Sequence, residues 1–428
     1  MAEGLKGAIT AGIGGASARH GALALLNAVL GDGAMLSALL ADPGPLTALP
    51  GPERARAQRL ALAVLRNLEP ADRRLAPHLR RAPPLAIRNI LRLAVVELAG
   101  GAAPHGVVNA AVNLARSGAR TRHQAGLVNA VLRALPENPL AGQPTQHLPR
   151  WLRQPLVHAY GRDAVARIEQ VQSRPAPLDL TLRPGAEAPA GTLLPNGTLR
   201  LTDAGQVTAL PGYAAGGWWV QDAAASMAVP LLAPQPGEAV LDLCAAPGGK
   251  TLQLAASGAS VTAIDISAPR MARVAENLAR CGLTATLITT DALHWTPDRK
   301  FDAILLDAPC SASGTIRRHP DLPFVKSDAD LPGLIALQAA LIDHALGLLK
   351  PAGRLVFCTC SLLPAEGEAQ LAAALTRHPH LQAEMPALPG IDPAWITPEG
   401  GLRLRPDYWA DLGGMDGFFL ARLAPRVR

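Results

Sequence analysis

The chain has 428 residues, of which 49% are hydrophobic and 17% are charged, a composition that supports buried cores and excludes a mainly disordered protein. At roughly 150 residues per domain, this length predicts about three domains. Apolar runs stay shorter than the roughly 18 residues of a membrane helix and the first residues lack a signal-peptide pattern, so we expect a soluble cytoplasmic protein. Its 5 cysteines are sparse and odd in number, which predicts reduced thiols.

Charge is distributed unevenly along the chain. Residues 1–204 carry 23 basic and 13 acidic side chains, a net charge of +10, whereas residues 205–428 carry 17 and 21, a net charge of −4. Only five of the 40 basic residues are lysine, and arginine suits bidentate phosphate contacts and stacking on bases. A GC-rich coding bias would explain the arginine and alanine excess equally well, so composition leaves both interpretations open.

The first part of the chain predicts helices. Apolar residues recur every three or four positions before residue 136, and the proline-rich polar stretch over 136–150 predicts a linker. A further helix and two β-like runs follow, which predict a small mixed subdomain. The predicted helices are Ala22–Leu30, Arg54–Leu68, Leu85–Leu98, Val107–Leu135 and Trp151–Gln172, and the β-like runs are Leu178–Leu182 and Gly197–Leu201.

From about residue 218, apolar runs alternate with helical patterns. This alternation predicts a doubly wound α/β domain with a mostly parallel sheet, whose ligand lies outside the carboxyl ends of the strands. The last apolar run is expected to be a late, antiparallel strand. The predicted strands are Ala239–Leu243, Ser260–Ile264, Ala285–Ile288, Ala303–Leu306, Arg354–Cys358 and Gly417–Leu423, with helices at Thr251–Ala256, Pro269–Arg280, Leu331–Leu349 and Ala365–Leu375.

The first strand of this α/β pattern leads into a glycine-rich turn. The run Val240-Leu-Asp-Leu-Cys-Ala-Ala-Pro-Gly-Gly-Lys-Thr251 places strand, turn and helix start in succession, so that a ligand can approach the backbone and its amide donors. A phosphate-binding P-loop is the weaker interpretation, because cysteine stands where its first glycine would be. Asp265 and Asp291 end the next two strands. Each alone favours a helix N-cap, but together they favour a nucleoside cofactor pocket, with carboxylates for ribose hydroxyls and the adenine amine.

Two cysteines follow the ends of the next two strands and lie 50 residues apart. Cys310 belongs to Asp307-Ala-Pro-Cys-Ser-Ala-Ser-Gly314, and Cys360 follows Cys358-Thr359. Neighbouring proline, serine and glycine predict that both thiols face a cleft. A cleft with a nucleoside cofactor, a carboxylate and two thiols suits attack on a pyrimidine, because C5 of cytosine is a poor nucleophile until a thiolate adds at C6.

Other cysteines have a simpler interpretation. Cys281 and Cys358 lie inside apolar patterns, where a cysteine is commonly a small core residue. The single Cys-x-Cys pair has no second cysteine or histidine cluster near it in the sequence, so we expect no zinc and no other metal.

These motifs resemble those of the RNA cytosine-5 methyltransferases, specifically the Sun/RsmB-type enzymes that modify small-subunit ribosomal RNA. The resemblance spans nearly the whole chain. Residues 18–135 are similar to the NusB-like helical RNA-binding domain that precedes the methylase in that subgroup. The matching runs are Asp242-Leu-Cys-Ala-Ala-Pro-Gly-Gly-Lys-Thr251, Asp307-Ala-Pro-Cys310-Ser, Thr359-Cys360-Ser361, Ala103-Pro-His-Gly-Val-Val-Asn-Ala-Ala-Val-Asn113, Gly126-Leu-Val-Asn-Ala-Val-Leu-Arg133, Trp219-Val-Gln-Asp-Ala223 and Met415-Asp-Gly-Phe-Phe419.

The resemblance implies a fold, a cofactor and a partner. It implies an S-adenosylmethionine-dependent methyltransferase Rossmann-like doubly wound sheet over 205–428. An all-α NusB-like RNA-binding domain over 1–140 precedes it, with a linker and a small α+β RNA-contacting subdomain over 141–204. It further implies S-adenosyl-L-methionine as cofactor, small-subunit ribosomal RNA as partner, and a monomer that needs neither membrane nor metal.

The resemblance also implies roles for individual residues. Cys360 corresponds to the nucleophile, Cys310 to the thiol that assists product release, Asp307 to the carboxylate on the cytosine, and Lys250 to a contact with the target base or backbone. Arg270 resembles an arginine that contacts RNA. The implied cofactor-binding residues are Cys244, Ala245, Ala246, Pro247, Gly248, Gly249, Lys250, Asp265, Asp291 and Asp307, with Asp291 near the adenine.

Two positions depart from the family pattern, and three alternatives compete with it. Gly367 replaces an asparagine after Pro364-Ala-Glu, and Gln172 replaces the asparagine of Asn-x-Arg-Pro, which puts peripheral contacts in doubt. Amino-group methylation is disfavoured because Cys310 stands where an aromatic residue would stack the base. A DNA-methylase-like order would make Cys310 the nucleophile and leave Cys360 unexplained. A non-enzymatic RNA-binding assembly factor with a vestigial methylase fold is the third alternative.

Overall fold

The computed structural model describes residues 17–41, 43–183, 185–202 and 204–426. The chain forms two compact units. One comprises residues up to Arg153, Val165–Arg174 and Ile316–Ser327, and the other comprises Gln154–Ala164, Pro175–Thr315 and residues from Asp328 onward. Among the described residues, none of the helices has the length and apolar character needed to span a membrane.

Helices account for the regular structure before residue 173. The apolar positions of the helices before residue 136, mostly leucine, valine and alanine, converge on one core that includes Leu25, Ile90 and Val128. The helices are α1 Ala18–Asp32, α2 Leu36–Leu39, α3 Gly51–Arg66, α4 Leu68–Leu75, α5 Leu85–Ala99, α6 Pro104–Ser117, α7 Ala125–Arg133, α8 Arg150–Tyr160 and α9 Arg162–Gln172.

Two of the helices predicted from periodicity are each divided by glycine. The prediction of one helix over Val107–Leu135 is wrong, because α6 ends before Gly118, which adopts an extended conformation. A Cβ at Gly118 would lie 2.4 Å from the Thr121 hydroxyl, which itself donates to the carbonyl of Ala115. The prediction of one helix over Trp151–Gln172 is wrong for a similar reason, since Gly161 separates α8 from α9 with a φ of +82°.

A small antiparallel sheet follows the helices along the chain. Its strand order is β2-β3-β1-β4, with β1 Leu178–Leu182, β2 Thr192–Leu193, β3 Leu199–Leu201 and β4 Trp218–Val220. A buried ion pair joins its two central strands, with both guanidinium bonds from Arg200 to Asp179 at 2.7 Å. The two predicted strands are confirmed, although the second begins at Leu199 because Gly197 lies in a turn with a φ of +84°.

The main sheet has the predicted doubly wound architecture. Its order is β10-β12-β9-β8-β5-β6-β7, with β11 paired to β12. Strands β5 to β9 run parallel, and β12 lies antiparallel to β9, which confirms the predicted direction of the last strand. The strands are β5 Ala239–Leu243, β6 Ser260–Asp265, β7 Thr286–Thr289, β8 Phe301–Asp307, β9 Leu349–Thr359, β10 Leu381–Glu384, β11 Leu402–Leu404 and β12 Phe418–Pro425.

The helices of this part of the chain are α10 Ala223–Ser226, α11 Ala228–Leu232, α12 Gly249–Ala256, α13 Ala268–Arg280, α14 Leu322–Val325, α15 Leu331–Gly347 and α16 Glu368–Arg377. Helices α12, α13 and α15 connect parallel strands, α10 and α11 precede β5, α16 follows β9, and α14 belongs to the first compact unit. Strand β5 lies between β6 and β8, so the winding direction reverses beside it. Leu243 pairs with Ile264 on one side and Leu306 on the other, which brings the carboxyl ends of these strands to one sheet edge.

Residues 316–327 belong to the helical unit rather than to the α/β unit around them in sequence. Phe324 and Val325 pack against the helical core, and Asp321 accepts a 2.8 Å hydrogen bond from the backbone amide of Leu36. The predicted domain division into 1–140, 141–204 and 205–428 places residues 316–327 with the α/β unit instead. That division stays a prediction.

Candidate active site

The glycine-rich turn after β5 is fixed by its backbone conformation. Cys244 has a φ of +63°, and Gly248 precedes α12 with a φ of +101°. A Cβ at Gly248 would approach the Val274 side chain to 3.0 Å, so glycine keeps this turn close to α13. Burial raises the pKa of Cys244 to about 12, which makes it a neutral thiol in the turn.

Asp265 connects the end of β6 to this turn. Its carboxylate accepts a 3.1 Å hydrogen bond from the Ala246 amide and a 2.9 Å bond from the Ser267 amide. Arg270 donates to the carbonyl of Ala246 and is also close to Asp265, with 3.9 Å between charged atoms. The side chain of Arg270 is half exposed, so it covers the outside of the turn.

Asp291 follows β7 and is more exposed than Asp265. It accepts hydrogen bonds of 3.0 Å from the Leu293 amide and from the His294 ring. The bond from Leu293 and the neighbouring His294 lower the pKa of the Asp291 carboxyl. Both strand-end aspartates therefore bind amides of local turns, but neither is the helix N-cap of the alternative interpretation, since Ser267 precedes α13 and a turn follows Asp291. Their roles toward a cofactor stay predictions.

Asp242 is a fully buried carboxyl group inside β5 that was not singled out from the sequence as a site residue. It accepts a 2.6 Å hydrogen bond from the Thr251 hydroxyl, which joins the strand to α12. Its second carboxyl oxygen has no hydrogen-bond partner among the described residues. Burial raises the pKa of Asp242 to about 7, because the charged form loses its hydration.

We expect Asp242→Asn to make protein stability less sensitive to pH. A folded-state pKa above the unfolded value contributes stability at low pH that is lost as pH rises through about 7. For Asp242, the rise in pKa from 3.8 to about 7 corresponds to roughly 4 kcal/mol of unfolding free energy between pH 4 and 8. Urea unfolding at several pH values between 4 and 8 measures this change in the free energy of unfolding. Asp302→Asn is the matched control, since Lys350 lowers the pKa of Asp302 and the sign is opposite. Parallel pH curves for wild type and Asp242→Asn would contradict the expectation.

Lys250 and Asp307 form an ion pair at the ends of α12 and β8. The ammonium nitrogen lies 2.7 Å from a carboxylate oxygen of Asp307, with 9% and 28% of the two side chains exposed. The ammonium also lies 5.1 Å from the centre of the Phe418 ring. Burial by itself lowers the pKa of Lys250, but the charge of Asp307 outweighs it and raises the pKa above the usual value. Lys250 is therefore a positively charged side chain held beside the turn that follows β8.

The two cysteines after β8 and β9 are brought together. The sulfur atoms of Cys310 and Cys360 are 3.4 Å apart, and both residues are partly exposed. Cys281 and Cys358 are buried, as their apolar surroundings predicted. The contact with Cys360 and burial raise the pKa of Cys310, and the negative charge of Glu366 acts in the same direction. This arrangement keeps Cys310 a neutral thiol.

A group of buried polar residues beside the thiols was missed by the sequence analysis. Glu366 is fully buried and accepts hydrogen bonds from the Ser311 amide, the Gln338 side chain and the Ser361 hydroxyl. The available signal was Glu366 in the run Pro364-Ala-Glu-Gly367, which drew attention only for its missing asparagine. That departure has a structural reason, because a Cβ at Gly367 would lie 2.5 Å from the guanidinium of Arg403.

The two remaining sequence motifs of the α/β unit contact each other. Asp222 caps α10 through the Ala224 amide at 2.9 Å and accepts a second bond from the Asp416 amide at 3.0 Å. Gln221 accepts hydrogen bonds from Thr181 and from the Trp219 ring. These motifs therefore join the small sheet to the segment that carries Phe418.

No cluster of three or more histidine, cysteine, aspartate or glutamate side chains suited to a metal ion occurs within the described ranges. Metal independence stays a prediction.

A parallel sheet with a glycine-rich turn after its central strand and carboxylates at neighbouring strand ends defines the class of S-adenosylmethionine-dependent methyltransferases. Comparisons with known proteins give the family. Residues 229–424 match the family described as 16S rRNA methyltransferase RsmB/F, and residues 16–137 match the NusB family. The chain belongs to the 16S rRNA methyltransferase RsmB/F family, whose cofactor is S-adenosylmethionine.

Two relatives support this membership, and two solved structures share the fold. Ribosomal RNA small subunit methyltransferase B of Photorhabdus laumondii is 34% identical over 94% of this chain and 97% of its own length. The protein of that name from Salmonella arizonae is 44% identical, over 53% of this chain and about half (51%) of its own length. The crystal structure of PH0851 has a TM-score of 0.71 at 22% identity, covering 96% of this chain and 99% of its own. A methyltransferase homolog from Pyrococcus horikoshii has a TM-score of 0.53 at 28% identity, covering 64% of this chain and 94% of its own.

Proposed function

We propose that this protein transfers a methyl group from S-adenosylmethionine to C5 of a cytosine in small-subunit ribosomal RNA, through a covalent intermediate with Cys360. The observation that carries the proposal is the sulfur pair of Cys310 and Cys360, 3.4 Å apart. The Lys250–Asp307 ion pair lies at the end of the adjacent strand. Family membership supplies the ribosomal RNA, and a cytoplasmic location accompanies that substrate.

The residues present fit the cofactor. Gly248 has a φ of +101° in a turn that leads into the amino end of α12, where backbone amides can face a ligand, and the Asp265 carboxylate is fixed at the end of the neighbouring strand. We propose that the turn over Cys244–Gly249 and Asp265 hold S-adenosylmethionine, with Asp291 near its adenine. When bound there, S-adenosylmethionine supplies an electrophilic methyl group on a sulfonium.

The chain's own residues supply the rest of the cycle. The Cys360 thiolate adds to C6 of the cytosine, which forms a carbon–sulfur bond and makes C5 nucleophilic. Asp307 accepts a hydrogen bond from the exocyclic amine, and Lys250 holds that carboxylate in place. After methylation a base takes the C5 proton, the carbon–sulfur bond breaks and the ring double bond returns. The neutral thiol of Cys310 can donate a hydrogen bond to the departing sulfur of Cys360, which is how it assists release.

The direct test is methylation of 16S ribosomal RNA by the purified protein with labelled S-adenosylmethionine, followed by bisulfite sequencing. The expected result is one new protected cytosine and release of label on nuclease digestion as 5-methylcytidine. Label on an amino group, or RNA binding without transfer, would contradict the proposal and favour amino methylation or the assembly-factor alternative. Naked 16S RNA and assembled small subunits should be tested side by side.

Asp265→Ala is expected to weaken cofactor binding by about 10- to 100-fold. The substitution removes a carboxylate and its charge-assisted bonds to the Ala246 and Ser267 amides, worth roughly 1.5–3 kcal/mol in such sites. Calorimetry with S-adenosylmethionine measures the loss. Asp265→Asn keeps the shape and one acceptor oxygen, so it should lie between wild type and alanine. An unchanged dissociation constant in Asp265→Ala would remove this residue from the cofactor site.

We further propose that the basic helical unit binds the RNA backbone. Arg80 and Arg81 are exposed and line a cleft together with His78 and His123. Removing the amino-terminal helices is a poor test, because residues 316–327 would lose the core against which they pack. Substitutions of surface arginines leave that core intact.

Arg80→Ala/Arg81→Ala is expected to raise the RNA dissociation constant about tenfold near 0.1 M salt. Each lost phosphate contact should also reduce the slope of log affinity against log salt by about one. Filter binding at several salt concentrations measures both. Arg299→Ala/Lys300→Ala removes the same charge from the other unit and should have a smaller effect. Equal losses in the two double variants would contradict a docking role for the helical unit.

A further inference from the structure

One buried carboxylate joins the turns that follow the two cysteines. Glu366 accepts a 2.8 Å hydrogen bond from the amide of Ser311, the residue after Cys310. Its other oxygen accepts a 2.6 Å bond from the hydroxyl of Ser361, the residue after Cys360. The cysteines are 50 residues apart in sequence, and this side chain links their two turns in addition to the 3.0 Å backbone bond from the Gly314 amide to the Cys360 carbonyl.

The surroundings of Glu366 restrict its position further. Gln338, on α15, donates at 3.1 Å to the oxygen that receives the Ser311 amide, and donates at 2.9 Å to the Pro309 carbonyl. The Thr359 hydroxyl donates at 2.9 Å to the backbone carbonyl of Glu366. Glu366, Gln338 and Thr359 are all fully buried. Contacts from β9, α15 and the turn after β8 therefore converge on one residue.

The hydroxyl groups of three serines extend the same contact. The hydroxyl oxygens of Ser311 and Ser313 are 3.0 Å apart, and that of Ser361 lies 3.2 Å from each of them. Ser313 also accepts a 3.0 Å bond from the Leu362 amide. Several hydrogen bonds therefore join the turn that contains Cys310 to the turn that contains Cys360.

Burial of this carboxylate is costly unless every donor is well placed. A carboxylate removed from water loses its hydration and recovers that loss only through well-oriented hydrogen bonds. A small movement of either turn would leave a buried charge with an unmet acceptor, so the energy of the site rises steeply with displacement. The positions of the two sulfur atoms are restricted in the same way, because each cysteine directly precedes a serine that is hydrogen-bonded to Glu366.

We propose that Glu366 is a positioning residue that holds Cys310 and Cys360 at the separation required by the covalent cycle. It touches neither substrate nor cofactor in this role and acts through Ser311 and Ser361. The consequence for catalysis rests on the proposed function, in which the Cys310 thiol must reach the departing Cys360 sulfur. The positioning itself does not depend on that chemistry.

The first test measures thiol proximity without RNA or cofactor. In a glutathione redox buffer, oxidised glutathione takes up the two electrons and two protons released when Cys310 and Cys360 form a disulfide, and two reduced glutathiones result. The equilibrium gives an effective concentration of one thiol at the other, read by peptide mapping. Cys310→Ser and Cys360→Ser should abolish the signal and so identify the pair.

Glu366→Ala is expected to lower this effective concentration by about 10²-fold, since misplacement of groups by roughly 1 Å has effects of that size. Glu366→Gln keeps one acceptor oxygen, and the Ser361 hydroxyl can turn to accept from the new amide, so it should recover part of the loss. Gln370→Ala is the control for general loosening, because Gln370 is equally buried and bonds to Gln338 and Ile335 but to neither turn. Equal effective concentrations in Glu366→Ala and wild type would overturn the proposal.

The second test follows the reaction. Single-turnover methylation in Glu366→Ala should slow by about 10²-fold while the dissociation constants for S-adenosylmethionine and RNA stay within about twofold of wild type. A covalent adduct with RNA should persist longer than in wild type, because Cys310 no longer lies at its assisting distance. Glu366→Gln covers the case in which the alanine variant folds poorly, and it should show the same pattern more weakly.

The two tests separate the two proposals. If wild type forms no RNA adduct, the covalent route fails, and the glutathione equilibrium still decides whether Glu366 positions the thiols. If Glu366→Gln and Glu366→Ala bind cofactor and RNA normally but match wild type in thiol proximity and turnover, the positioning role is refuted. Lost proximity with lost turnover and normal binding supports it.

Discussion

Cys360→Ala is expected to abolish methylation without leaving any covalent complex, whereas Cys310→Ala should accumulate enzyme bound to RNA. The sulfur atoms of these residues are 3.4 Å apart, so both thiols can reach the same base and the two variants test which of them attacks it. Removal of the nucleophile should cost about 10³-fold or more, because the alternative is direct methylation of an unactivated C5. Removal of Cys310 should leave adduct formation and slow only the elimination.

Denaturing gels with labelled RNA distinguish these outcomes. The double variant Cys310→Ala/Cys360→Ala should give neither adduct nor product, and Cys281→Ala should behave as wild type because that residue is buried in another core cluster. An adduct that accumulates in Cys360→Ala and is absent from Cys310→Ala would reverse the assignment. That result would favour the DNA-methylase-like order of thiols.

The parallel strands of the main sheet were predictable because each contains a mainly apolar run, as expected where helices cover a sheet. Strands β10 and β11 were not predicted. Leu402–Leu404 is only 3 residues long, and Leu381–Glu384 includes a glutamine and a glutamate. Both depend on pairing with β12, a contact across the chain that local pattern does not contain.

The candidate site was predictable to the extent that its residues follow strand ends. Topology brings such residues to one sheet edge, so Asp307, Cys310 and Cys360 could be placed together without coordinates. Glu366 could not, because its importance lies in donors from positions 311, 338 and 361 that no spacing rule connects. The same holds for residues 316–327, whose partners in the helical core lie some three hundred positions earlier.

Lys250→Met is expected to reduce turnover by about 10²- to 10³-fold, a loss typical for removal of one preorganised charged donor at a reacting group. The 2.7 Å bond from Lys250 holds the Asp307 carboxylate in place. Without that ammonium, Asp307 loses this bond and retains the one that the Cys358 thiol donates at 3.5 Å, so the carboxylate can turn away from the base. A displaced carboxylate accepts poorly from the cytosine amine, so the base would be held in the wrong orientation.

Comparison of variants separates an orienting role of Lys250 from direct contact with the substrate. If Lys250 acts by orienting the Asp307 carboxylate, Asp307→Asn and the double variant Lys250→Met/Asp307→Asn should lose about the same turnover, because the ammonium has no carboxylate left to orient. Lys250→Arg keeps the charge but spreads it over a larger, planar group beside Phe418, so it should restore only part of the activity. Single-turnover rates of the four variants measure this. A further large loss in the double variant relative to Asp307→Asn would mean that the ammonium contacts the substrate directly.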